Sequence, residues 1–114
     1  MNTKKAIANI DAVDVVGVLN DGGLDLVISA QGPIDASAEA LNDLETKLRN
    51  YVEAAISPEF LAQYDQQAGA PVTIYLSCAY PIAEEARRLI EDMRAEAFRH
   101  GISIEIRSHM GDVH

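Results

Sequence analysis

The sequence predicts an α/β fold, an α+β two-layer sandwich ordered β-β-α-β-α-β, with both helices on one face of a four-stranded mixed sheet. Three observations carry this prediction. Four short runs alternate aliphatic and polar residues with the period of a half-buried strand. Two longer runs repeat aliphatic residues at the spacing of one helical face. The order strand–helix–strand over 72–107 is long enough for a parallel pair with a right-handed crossover. A chain of 114 residues suits one domain, because two would each be too small to stabilise easily. The expected domain spans 1–114, with an ordered core over about 12–107 and a mobile polar tail over 108–114.

The first strand is expected over 13–19, where Val13, Val15, Val16 and Val18 favour extended backbone. Asn20-Asp21-Gly22-Gly23 then supplies residues that tolerate positive φ and signals a turn. Leu24, Leu26 and Ile28 alternate with Asp25, Val27 and Ser29, so the two strands form an antiparallel hairpin. Gln31 to Asp35 contains Gly32 and Pro33 and is a loop. A helix follows over 37–56, with Ser37 as N-cap and a stripe of Leu41, Leu44, Leu48, Tyr51, Val52 and Ala55. Asp43–Lys47 and Glu45–Arg49 are i,i+4 pairs with the acid first, the better orientation. Ser57-Pro58 ends the helix, because a residue before proline avoids the helical region.

Glu59 to Tyr64 has room for one short helical turn, and Asp65 to Pro71 is a loop. Val72, Ile74 and Leu76 alternate with Thr73, Tyr75 and Ser77 as a third strand. Pro81 suits the first turn of the second helix, whose stripe is Ile82, Ala86, Leu89, Ile90, Met93 and Ala97. Gly101 sits where a C-terminal cap belongs, with Arg99 and His100 in the last turn. Ile102, Ile104 and Ile106 alternate with Ser103, Glu105 and Arg107 as the fourth strand. The sheet face turned away from the helices would show Val27, Thr73, Tyr75, Ser77, Glu105 and Arg107. That mixed, partly apolar surface makes Val27, Thr73 and Tyr75 a candidate homodimer face. The plain alternative is a solvated face without a partner.

Composition excludes several classes. The net charge is −9, from 18 acidic and 9 basic residues, the wrong sign for gripping phosphates or an anionic membrane. Arg87, Arg88, Arg94 and Arg99 share a helix with Glu84, Glu85, Glu91, Asp92 and Glu96, and Glu84–Arg88 and Arg87–Glu91 are i,i+4 pairs. That is a salt-bridged solvent face rather than a nucleic-acid patch. Aromatic residues are 5% without tryptophan, so no stacking platform exists. No apolar run approaches the roughly 20 residues of a membrane span. Lys4 and Lys5 mimic the start of a signal peptide, but Asp11 and Asp14 fall where its apolar stretch should be. With one cysteine and no export signal, a reducing cytoplasm is expected.

Candidate chemistry is sparse. Cys78 follows the third strand near a helix N-terminus, a position that can lower a thiol pKa. Glu84 and Glu85 oppose that effect, and His100 lies at the far end of the helix, so a structural cysteine is the better reading. Ser77, Cys78 and Tyr80 frame a strand-to-helix junction, the place where open α/β sheets bind ligands. Ser-Cys-Ala-Tyr-Pro offers no glycine for a phosphate loop, so an ordinary junction is the better reading. His109, Asp112 and His114 carry metal-ligating groups without a standard spacing and within the expected tail. The acidic groups Asp11, Asp14, Asp21 and Asp25 near the hairpin, and the adjacent Glu84 and Glu85, read as solvated surface. No catalytic residue, metal site or cofactor is expected.

Asp14-Val15-Val16-Gly17, Leu24-Asp25-Leu26-Val27-Ile28-Ser29 and Leu44-Glu45-x-Lys47-Leu48-x-Asn50-Tyr51 together resemble a family of small bacterial proteins of unknown function. In it a hairpin precedes a helix with a leucine-lysine-leucine-tyrosine core, then a βαβ unit. Tyr64, Gly69-Ala70-Pro71, the strand from Val72 and the helix ending at Gly101-Ile102 continue the likeness, over about residues 13–107. The resemblance implies a free-standing bacterial cytoplasmic domain and brings no assigned activity. The functional expectation is a non-enzymatic protein-interaction or accessory module, with a homodimer and a basic protein as candidate partners. The alternative is a small-molecule binder or minor enzyme at Ser77, Cys78 and Tyr80.

Overall fold

Alternation and helical period both appear in a computed structural model, which describes residues 7, 14–18, 22–67 and 69–108. The strands are β1 (Asp14–Val18), β2 (Leu24–Ser29), β3 (Val72–Cys78) and β4 (Ile102–Ser108). The helices are α1 (Ala38–Ile56), α2 (Pro58–Ala62) and α3 (Glu84–Phe98). Strand order across the sheet is β1-β2-β3-β4. β1 pairs antiparallel with β2, and a bulge between Val15 and Gly17 interrupts it. β2–β3 and β3–β4 are parallel.

Local chemistry explains the boundaries. Gly22 and Gly23 adopt φ of 94° and 118° in the hairpin turn, where a Cβ would be strained. The Ser37 hydroxyl accepts from the Ala40 N–H at 3.1 Å and starts α1. Ser57 ends α1 by donating its N–H to the Ala54 carbonyl, then starts α2 by accepting from Phe60. Gly101, at φ 76°, turns the chain from α3 into β4.

One boundary differs from expectation. α3 starts at Glu84 with Ala83 as its cap, so Pro81 lies before the helix rather than in its first turn. The intervening residues are committed elsewhere: Ile82 forms a β-bridge with Ile34. Ile34 donates to the Pro81 carbonyl at 3.1 Å, and Ala83 donates to the Ile34 carbonyl at 2.8 Å. Burial of Ile34 at 1% exposure favours this closure over one more helical turn.

The register builds one core. Leu24, Val72 and Ile102 form one cross-sheet row, and Leu26, Ile74 and Ile104 the next. Both rows are buried together with Leu44, Leu48 and Tyr51 of α1 and Ala86, Ile90 and Met93 of α3. α1 and α3 also pack against each other, which places them on the same side of the sheet. Handedness explains this. The parallel crossovers β2–β3 and β3–β4 advance in one direction, so two right-handed connections cover the same face. Ile7, ahead of residue 12, joins the core at 1% exposure. The metal-ligating string His109–His114 and the carboxylates Asp11 and Asp21 lie outside the described residues.

Candidate functional site: the open sheet face and the β3–α3 junction

Because α1 and α3 occupy one side, the odd-numbered residues of β2, β3 and β4 form the opposite surface. Three rows cross it: Asp25-Thr73-Ser103, Val27-Tyr75-Glu105 and Ser29-Ser77-Arg107. Val27, Thr73 and Tyr75 are half-buried, while Glu105 and Arg107 are exposed. The Arg107 guanidinium lies 3.7 Å from the Tyr75 ring centroid and shields one side of that ring. The surface is therefore apolar at Val27 and Tyr75 with charges around them. Parallel strands are usually covered on both faces, which makes three strands with no helix on one side among the described residues unusual.

Strand alternation separates the residues of the β3–α3 junction. Ser77 lies on the open face, and its backbone carbonyl accepts from Ala30 at 2.9 Å. Cys78 points the other way, into the core, at 1% exposure. Its thiol donates to the Tyr80 carbonyl at 3.2 Å. The Tyr80 side chain is 43% exposed in the following loop. Ser77, Cys78 and Tyr80 thus do not converge on one point. The Ile34–Ile82 bridge lies beside them and joins the two loops at this end of the sheet. Glu84 and Glu85 are both exposed in the first turn of α3, and Glu84 pairs with Arg88 at 2.8 Å.

The charged helix surface is as expected in part. Glu45 and Arg49 pair at 2.6 Å. Glu91 pairs with Arg94 at 2.5 Å, in place of the expected partner Arg87, and Arg94 also donates to the Ile104 carbonyl at 2.9 Å. Among the described residues no group of three or more His, Cys, Asp or Glu is placed to hold a metal ion. Among them also, no helix is long and apolar enough to cross a membrane.

Two charged residues were not expected in the interior. Asp43 is 8% exposed and Lys47 3% exposed, both on the inner surface of α1. The Lys47 ammonium lies 5.5 Å from the Tyr51 ring centroid. The Tyr51 phenol donates to the Val27 carbonyl at 2.5 Å, so α1 holds β2 directly beneath the open face. A signal was present: Lys47 falls between Leu44 and Tyr51 at helical spacings of three and four.

A family model matches residues 5–110. The chain belongs to DUF6572, a family of unknown function. No curated protein and no solved structure matches it. The DUF6572 match contains all seven elements, the open face and the junction, so these features all fall within the family domain. The likeness seen over about residues 13–107 falls inside the same span.

Proposed function

We propose that the chain is a non-enzymatic protein-interaction module that docks a basic protein on the open sheet face around Val27, Thr73 and Tyr75. The observation that carries this reading is the one-sided sheet. α1 and α3 cover one face, and among the described residues no helix covers the other, where Val27 and Tyr75 lie at the centre of three strands. Asp25 and Glu105 border that centre, and the chain as a whole carries a net charge of −9. A basic partner would be steered toward such a surface and repelled least on arrival. The rival reading, a small-molecule site at Ser77, Cys78 and Tyr80, has less support, since those side chains diverge.

Quantitative affinity capture from lysate of the native source tests the proposal, with wild type and Thr73→Lys compared side by side. Thr73 contributes surface but no core packing, so the variant should melt close to wild type. The expected result is a stoichiometric basic protein on the wild type, depleted at least tenfold by Thr73→Lys. Equal retention by both proteins would overturn the reading. Retention of a metabolite without any protein would overturn it too and favour the junction.

A further inference from the structure

We infer that the exposed edge of β4 pairs antiparallel with β4 of a second copy, on a two-fold axis at Ile106, to give one continuous eight-stranded sheet. β4 and β1 are the two edges of the sheet, and they are built differently. β1 is broken by a bulge, a device that blunts an edge. β4 runs for seven residues in unbroken register with β3, without proline or bulge. An edge of that kind is a template for another strand.

Hydrogen-bond parity restricts how two copies can meet. Leu24 donates to the Pro71 carbonyl and Ala30 to that of Ser77, so odd residues of β3 bond to β2 and even residues to β4. In the parallel β3–β4 pair, odd residues of β4 then face β3, and even residues turn outward. The Arg94 Nε–H donates to the outward Ile104 carbonyl at 2.9 Å, in agreement. Pairing centred on Ile104 would set Glu105 against Ser103 and Arg107 against Gly101, leaving both charges without an opposite. Pairing centred on Glu105 would set Glu105 against Glu105 of the other copy. Pairing centred on Arg107 would oppose two arginines. Centring on Ile106 pairs the outward groups of the two Ile106 residues and then those of Ile104 with Ser108, so the Ile104 carbonyl, which has two lone pairs, would accept from Ser108 beside Arg94. It also sets Glu105 of each copy directly opposite Arg107 of the other, in a non-hydrogen-bonded pair where side chains lie close. Neither residue forms an ion pair among the described residues, although Arg49, Arg88 and Arg94 all do. Opposite charges flanking one outward residue are the complementarity that a self-pairing strand requires.

This inference goes beyond the docking reading and is measured without any partner. Analytical ultracentrifugation at tens of micromolar should give a dimer for wild type. Glu105→Arg and Arg107→Glu should each weaken dimerisation at least tenfold, since each creates like-charge pairs on both sides of the axis. The double variant Glu105→Arg/Arg107→Glu should restore it. Glu105 and Arg107 are both exposed in the single chain, so circular dichroism should show an intact fold throughout. A monomeric wild type overturns the inference, as does a dimer indifferent to the single reversals or a double variant that stays monomeric. A dimer lost on Thr73→Lys yet unchanged by Glu105→Arg would also overturn it, and would place the contact on the open face instead.

Discussion

Cys78 has an accessibility that separates interaction from junction chemistry. The perturbation is addition of the thiol reagent DTNB to native protein near neutral pH. The side chain is 1% exposed, sits at the end of an interior strand, and donates to the Tyr80 carbonyl. Reagent therefore reaches the sulfur only after the structure opens. Domains are stable by roughly 5–15 kcal/mol. At about 5 kcal/mol, the low end, and with about 1.4 kcal/mol for each factor of ten, roughly one molecule in four thousand is open. Labelling should then be slower than in urea-unfolded protein by roughly three to four orders of magnitude. Stopped-flow absorbance of the released thiolate measures both rates. Moderate urea should accelerate the native rate steeply, because global opening exposes surface and responds to denaturant. Labelling within tenfold of the unfolded control would refute the burial argument and return the junction to consideration as a site.

Other consequences follow from single contacts. Tyr51→Phe keeps the ring and removes only the phenol that donates to Val27, so it should cost about 0.5–1.5 kcal/mol, read as a lower urea midpoint at unchanged slope. Ser37→Ala should cost about 1 kcal/mol through loss of the α1 cap. The same change reports on Asp35, whose carboxyl is held below its ordinary value first by the Ser37 hydroxyl and then by the Ser37 N–H. A depressed carboxyl pKa stabilises the fold above the unfolded pKa, and that contribution disappears as pH falls through the folded one. Ser37→Ala should therefore move the Asp35 midpoint upward in an NMR titration. An unchanged midpoint would mean that the hydroxyl does not hold the carboxylate.

Much of the fold was legible because period and capping are local. The stripe from Leu44 to Ala55 and the alternation of Ile102, Ile104 and Ile106 need no tertiary information. Ser37, Ser57 and Gly101 announce their boundaries through their own hydrogen bonds or φ. Pro81 was misleading for a tertiary reason: the residues after it are held by Ile34, 48 positions earlier in the chain, in a bridge that no local pattern reveals. Asp43 and Lys47 read only as an i,i+4 pair outside the apolar stripe, because charge outweighs position in a hydropathy pattern. Their helical phase beside Leu44 and Tyr51 pointed inward all the same. The divergence of Ser77 and Cys78 needed no structure either, since adjacent residues on a strand face opposite ways. Treating the two as one junction overlooked that alternation.

Strand order is the fact that local patterns do not contain, and it bears most on function. Had β4 been placed on the other side of β2, the chain would have reversed direction across the sheet. The two crossovers would then cover opposite faces, and a crevice would open at the strand ends where the reversal occurs, the usual ligand position in open α/β sheets. The observed order β1-β2-β3-β4 has no such reversal among its parallel strands. The connecting loops meet through Ile34 and Ile82 at that end of the sheet. What the same topology creates among the described residues is surface: one sheet face without helices and one unbulged edge. The proposed docking face and the proposed β4 pairing both rest on that surface, which is why oligomeric mass and partner capture are the measurements that test them.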